Sequence, residues 1–95
     1  EIMDQLEIAP LADTPVTHLS VGQRRLLSIA MCIAADARCY LLDEPTAGLD
    51  RSHITLACKA VRRLADRGKT IVLVEHNHAV VSRLANHIID LDLEF

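Results

Sequence analysis

The sequence predicts an α/β fold of parallel β-strands joined by crossover helices, on three observations. Cys39-Tyr40-Leu41-Leu42 is a continuous apolar run that ends in Asp43-Glu44-Pro45, and proline closes a strand because it has no N–H to give a ladder. Thr70 to Glu75 is a second run of strand length, rich in Ile and Val. A helix-period pattern separates the two, a shorter one follows, and His87 to Leu91 reads as a third strand. Strand, helix, strand, helix, strand means parallel pairing through helical crossovers.

Composition sets limits. The 95 residues suffice for one small domain. The apolar fraction of 51% is ample for a core, although Tyr40 and Phe95 are the only aromatic residues. Net charge is −3 with both signs interspersed, so no basic stripe points to nucleic acid or anionic lipid. So few aromatics also weigh against stacking on single-stranded bases. No apolar run approaches the roughly 20 residues of a membrane-spanning helix. Cys32, Cys39 and Cys58 fall within apolar helix or strand patterns. They are expected to be buried free thiols of a reducing compartment, not a disulfide framework or a zinc site. The chain begins at Glu1 without an initiator Met, and the expectation is a piece of something longer.

Taken in order, Ile2, Met3, Leu6 and Ile8 share one face of a short amphipathic helix predicted over residues 1–8. Pro10, Asp13, Thr14 and Pro15 mark an irregular connection. Ser20 is a candidate N-cap for a helix running to about Ala35. Leu26, Leu27, Ile29, Ala30, Ile33 and Ala34 form its broad apolar face. The run from Cys39 suits a strand buried on both faces of a parallel sheet. Asp50 is a candidate N-cap for a helix from Arg51 to Asp66, with Ile54, Cys58, Val61 and Leu64 at helical spacing and Gly68 as its stop. A last short helix is predicted from about Asn77 to Ala85.

Ligands of parallel sheets gather at the carboxyl ends of the strands, where Asp43 and Glu44 emerge. Two adjacent acids there are costly unless a cation or a reacting group uses them. The chemical reading is an Asp that helps to hold Mg²⁺ and a Glu that orients or deprotonates a water. A solvated strand-end turn is the alternative. The helix start at Ser20 offers unpaired N–H groups and a partial positive charge suited to phosphate, with Gly22 allowing close approach. Taken alone, Ser20 as the simple cap of a core helix is favoured. A lone strand-end histidine such as His76 is usually structural, and no carboxylate or Cys spacing supports a metal pair with His78. Gly68-Lys69-Thr70 imitates the tail of a phosphate loop, but Arg63 stands where the first glycine belongs, and the tripeptide precedes a strand.

Three segments acquire a further meaning from their order. Leu19-Ser20-Val21-Gly22-Gln23, then Cys39 through Asp50, then Val74-Glu75-His76-Asn77 resemble the signature motif, the Walker B strand with its adjacent glutamate and D-loop, and the H-loop of the ATP-binding-cassette (ABC) ATPases. The resemblance covers nearly the whole chain. It implies a partial P-loop NTPase fold, with about residues 1–35 ending the helical signature subdomain and 38–95 forming the Walker B to H-loop α/β part. The half with the Walker A phosphate loop is missing. By this resemblance Asp43 is the Mg²⁺ ligand, and Glu44 and His76 are catalytic. Ser20, Gly22 and Gln23 face the γ-phosphate of ATP held by a partner domain, and Asp50 lies at the domain interface. Val21 replaces the usual first glycine of the signature, and its β-branch restricts how closely that loop approaches a phosphate.

The implied function is ATP binding and hydrolysis for an ABC transporter, with ATP and Mg²⁺ as ligands. The implied partners are a second ABC ATPase domain and transmembrane permease subunits, with no nucleic acid. The implied location is cytoplasmic, at the inner face of the cell membrane. Asp43-Glu44-Pro45-Thr46-Ala47-Gly48-Leu49-Asp50 looks like importer-type cassettes, whereas translation-associated ABC proteins typically have Asn-His at Ala47-Gly48. An excinuclease A-like repair ATPase is the alternative, since residues 74–77 and 87–91 resemble its C-terminal region. Its signature, however, has extra residues before the glutamine, and His usually stands at the position of Asp50. A degenerate, non-hydrolysing regulatory cassette is the remaining class, and Glu44 and His76 argue against it. Without a phosphate loop the chain alone is expected to be inactive and to bind ATP weakly or not at all. The family's phosphate-loop strand lies between the strand ending at Glu75 and residues 87–91, so open sheet edges are expected as well.

Overall fold

The computed structural model describes residues 6–86. The third strand expected at 87–91 lies outside the described residues, as do residues 1–5 of the predicted first helix. Residues 6–8 of that helix form a turn with Glu7 at a φ of 57°, so the helical pattern does not extend through them. Two single-turn 3₁₀ segments, Ala9–Leu11 and Val16–His18, lead to helix α1 (Val21–Ala34). Strand β1 (Cys39–Asp43), helix α2 (Arg51–Asp66), strand β2 (Thr70–Val74) and helix α3 (His78–Leu84) follow. The strands pair in parallel, with Tyr40 opposite Ile71 and Asp43 opposite Val74. The α/β class and the parallel crossover are therefore as the sequence predicts.

Local chemistry accounts for the helix ends. Ser20 caps α1 through its Oγ, which accepts from the Gln23 N–H at 3.1 Å, while Gln23 Oε1 accepts from the Ser20 N–H at 2.8 Å. This reciprocal pair satisfies two donors that a helix start otherwise leaves unpaired. At the end of α2, Gly68 takes a φ of 80°. Its N–H bonds the Ala65 carbonyl at 2.9 Å and the Lys69 N–H bonds that of Leu64 at 3.2 Å, a Schellman closure that glycine adopts without a Cβ clash. Lys69 Nζ lies 2.9 Å from Asp36 Oδ1, and that contact lowers the Asp36 carboxyl pKa. Gly68-Lys69-Thr70 is thus a helix stop followed by an ion pair, as its failed phosphate-loop spacing implies.

The core lies on one face of the sheet. Tyr40 and Leu42 join Leu26, Ile29, Ala30 and Ile33 of α1 and Ala57, Ala60, Val61 and Leu64 of α2 in a single buried cluster. The Tyr40 hydroxyl accepts from the Ala37 N–H at 2.9 Å, tying the connection after α1 to β1. The expectation of a strand buried on both faces is corrected here. Leu41 is 69% exposed, Val72 50% and Val74 44%. Strand residues alternate between faces, and α1 and α2 both pack on the face bearing Tyr40 and Leu42, so among the described residues nothing covers the other face.

The same geometry corrects the cysteines. Cys39 lies on the bare face and Cys32 on the outer side of α1, so both are exposed, and only Cys58 is buried. Burial raises the pKa of the Cys58 thiol. All three are free thiols.

Candidate active site

Parallel register brings the carboxyl ends of β1 and β2 side by side, and the Glu44 N–H extends the ladder one residue by bonding the Val74 carbonyl at 2.7 Å. The chain then turns sharply: Glu44 has a φ of 47°, and its carbonyl accepts from the Ala47 N–H at 3.1 Å. A non-glycine residue in this left-handed region carries a conformational cost of about 1–3 kcal/mol. The turn directs the Glu44 carboxylate toward the loop after β2, where Oε1 lies 2.9 Å from His76 Nε2. The His76 side chain is 83% exposed and that of Glu44 42%. Asp43, the last residue of β1, is exposed, and its side chain has no hydrogen-bond partner or ion pair among the described residues.

Behind this pair stands a carboxylate that the sequence reading passed over. Glu75 Oε2 accepts from the Thr46 hydroxyl at 2.7 Å, and its Oε1 accepts from the backbone N–H groups of His76 at 3.1 Å and Asn77 at 3.2 Å. Thr46 is 5% exposed. Asn77 Oδ1 in turn caps α3 by accepting from the Ala79 and Val80 N–H groups.

The other predicted residues form a second group. Ser20 and Gln23 make the α1 capping box, and Gly22 lies between them. A Cβ built on Gly22 would meet the His53 ring at 3.6 Å, ordinary contact. The α1 start therefore sits beside the start of α2. Asp50 caps α2: its Oδ1 accepts from the His53 N–H at 2.9 Å and the Ser52 hydroxyl at 2.9 Å, with His53 Nδ1 at 2.6 Å. His53 was given no role from sequence, although its i+3 spacing from a capping Asp was visible. No hydrogen bond or ion pair among the described residues joins this group to Asp43, Glu44 and His76. A groove of about 450 Å³ between residues 6–11 and the two helix starts is lined by Gln23, Ser52 and His53, away from the acid pair.

The Asp50 contacts carry a pH signature. Its carboxyl pKa falls from 3.8 to about 2, chiefly through the His53 backbone N–H, then through the His53 ring and the Ser52 hydroxyl. A depressed folded-state value means the cap's stabilising charge is complete above pH 3.8 and lost as pH falls through about 2. In an NMR titration the Asp50 carboxyl carbon is expected to show a midpoint near 2; a midpoint at the ordinary value would contradict the cap geometry.

Fold and site together define a class: an α/β unit of parallel strands and crossover helices that presents its acidic strand end beside a histidine-bearing loop. A model described as "ABC transporter" matches residues 1–47. Among curated relatives, the manganese transport system ATP-binding protein MntB of Listeria innocua is 35% identical over 92 residues, 97% of this chain and 38% of that protein. The achromobactin transport ATP-binding protein CbrD of Dickeya dadantii is 42% identical over 80 residues, 83% of this chain and 30% of that protein. A solved structure of RNase-L Inhibitor superposes with a TM-score of 0.81 at 35% identity, over 90% of this chain and 17% of that one. The chain belongs to the ABC ATP-binding family, and it spans between 17% and 38% of the length of these relatives.

Proposed function

We propose that this chain forms the C-terminal part of an ATP-hydrolysing nucleotide-binding domain of an ABC transporter. Residues 1–35 then close its signature subdomain and 38–95 carry its Walker B to H-loop part. The observation that carries the proposal is the Glu44 carboxylate held 2.9 Å from His76 Nε2 beside Asp43, whose side chain has no partner among the described residues, at the carboxyl ends of parallel strands. An exposed pair of this kind contributes about 0–1 kcal/mol to stability, less than the backbone strain at Glu44 is expected to cost. Chemistry explains the arrangement better than stability does.

Mg²⁺ uses one or two carboxylates and completes its octahedron with water and substrate phosphates. Asp43 fits that requirement, and the described residues contain no cluster of three or more His, Cys, Asp or Glu that would hold a metal unaided. When bound, the ion supplies charge neutralisation at the phosphate oxygens. Glu44 acts as general base toward water. The carboxylate only accepts, so His76 carries its proton on Nε2. That N–H passes to a γ-phosphate oxygen when ATP is present, freeing Glu44 for the water.

Ser20, Gly22 and Gln23 serve ATP held by a second ABC ATPase domain. Because Ser20 and Gln23 satisfy one another, the N–H groups of Val21 and Gly22 are the donors left for a phosphate. Asp50 belongs at the interface between the two domains. ATP closes the pair, hydrolysis releases it, and permease subunits in the membrane receive the motion from the cytoplasmic side. No helix among the described residues is long and apolar enough to cross a membrane. The full-length protein is expected to release phosphate from Mg-ATP, and residues 1–95 alone to show neither hydrolysis nor ATP retention on a filter. Absence of turnover in the full-length protein would sink the proposal.

A further inference from the structure

We infer that Glu75 is a positioning residue for the hydrolytic pair, fastening the turn after β1 to the loop after β2 so that His76 meets Glu44. The inference rests on the hydrolase reading of Glu44 and His76 and extends it to residues that reading does not use. Glu44 and His76 stand on separate loops, 32 residues apart in sequence, and both are substantially exposed. Their mutual contact is too weak to hold two loops in place. The strand ladder fixes Glu44 through the Val74 carbonyl but ends there. Beyond it, the Glu75 carboxylate is the side chain that grips both sides.

One oxygen takes the hydroxyl of the buried Thr46, two residues past Glu44, at 2.7 Å. The other takes the backbone N–H groups of His76 and Asn77 at 3.1 and 3.2 Å, which orients the peptide carrying the imidazole. Hydrogen bonds to an ionised acceptor are short and directional, and the two loops meet through a three-donor grip. Neither Glu75 nor Thr46 touches reacting atoms; both act by placing His76 against Glu44.

The test uses the full-length protein. Misplacing a reacting group by about 1 Å costs about 10²-fold, so Glu75→Ala is expected to lower kcat by about 10–100-fold while KM for ATP stays within about threefold. Glu75→Gln keeps an acceptor for the loop N–H groups and a donor toward Thr46 Oγ, and should retain most of the turnover. Thr46→Val preserves shape but deletes the hydroxyl, and is expected to lower kcat several-fold even if Glu75→Ala fails to fold. In the His76→Ala background, Glu75→Ala should add less than a twofold loss, because its effect runs through His76.

A readout without nucleotide accompanies these. The His76 ring resonances in histidine-labelled protein should move toward free-imidazole positions in Glu75→Ala. Wild-type kcat in both Glu75→Ala and Thr46→Val, or an undiminished loss from Glu75→Ala on the His76→Ala background, overturns the inference. If Glu44→Gln and His76→Ala abolish turnover while the Glu75 and Thr46 variants do not, the clamp alone is wrong. If all of them turn over normally, the hydrolase reading falls with it.

Discussion

Replacing Glu44 by Gln is expected to slow ATP hydrolysis by the full-length protein about 10²–10⁴-fold, the range that general-base assistance typically supplies, while ATP stays bound. The substitution isolates chemistry from structure. Gln is isosteric with Glu, its amide oxygen still accepts from His76 Nε2, and the left-handed backbone at position 44 is under the same strain with either side chain. On the proposed mechanism, what disappears is the basicity that draws a proton from water. Phosphate release and filter retention of labelled ATP, measured on one preparation, separate the two effects. Turnover at the wild-type rate would remove Glu44 from the mechanism.

His76→Ala is the second large effect. The side chain is 83% exposed and meets Glu44 Oε1 at 2.9 Å, so the melting temperature is expected to move by no more than an exposed substitution usually moves it, about 0.5 kcal/mol in stability. Loss of one donor aimed at developing charge typically costs about 10²–10³ in kcat. A collapse in turnover with an unchanged melting curve is the expected pattern. A matched fall in both would make His76 a structural residue of the loop after β2 instead.

What the sequence disclosed and what it withheld divide along a physical line. Elements whose causes are local were legible: Ser20 and Asp50 as caps, Gly68 as a stop, and apolar runs of strand length ending in Pro45 and at Glu75. The acid pair was legible for the same reason, since a strand's end and its next two residues are neighbours in the chain. Features that depend on what packs against what were not. The run at Cys39–Leu42 has the composition of a doubly covered strand, but whether Leu41 and Cys39 are covered depends on elements elsewhere. The Thr46–Glu75 bond joins residues 29 apart, and no spacing rule announces it. Gln23 stood in the S-x-x-Q pattern of a capping box, yet the signature resemblance drew its reading toward phosphate.

The backbone at Glu44 has an evolutionary corollary. With its φ of 47°, this is a position where Gly or Asn would sit more comfortably. Selection for thermal robustness alone would therefore favour replacing glutamate here, and on the proposed mechanism each such step would silence hydrolysis while hardening the fold. On that mechanism, the strain at this bend is the cost of placing a base beside His76.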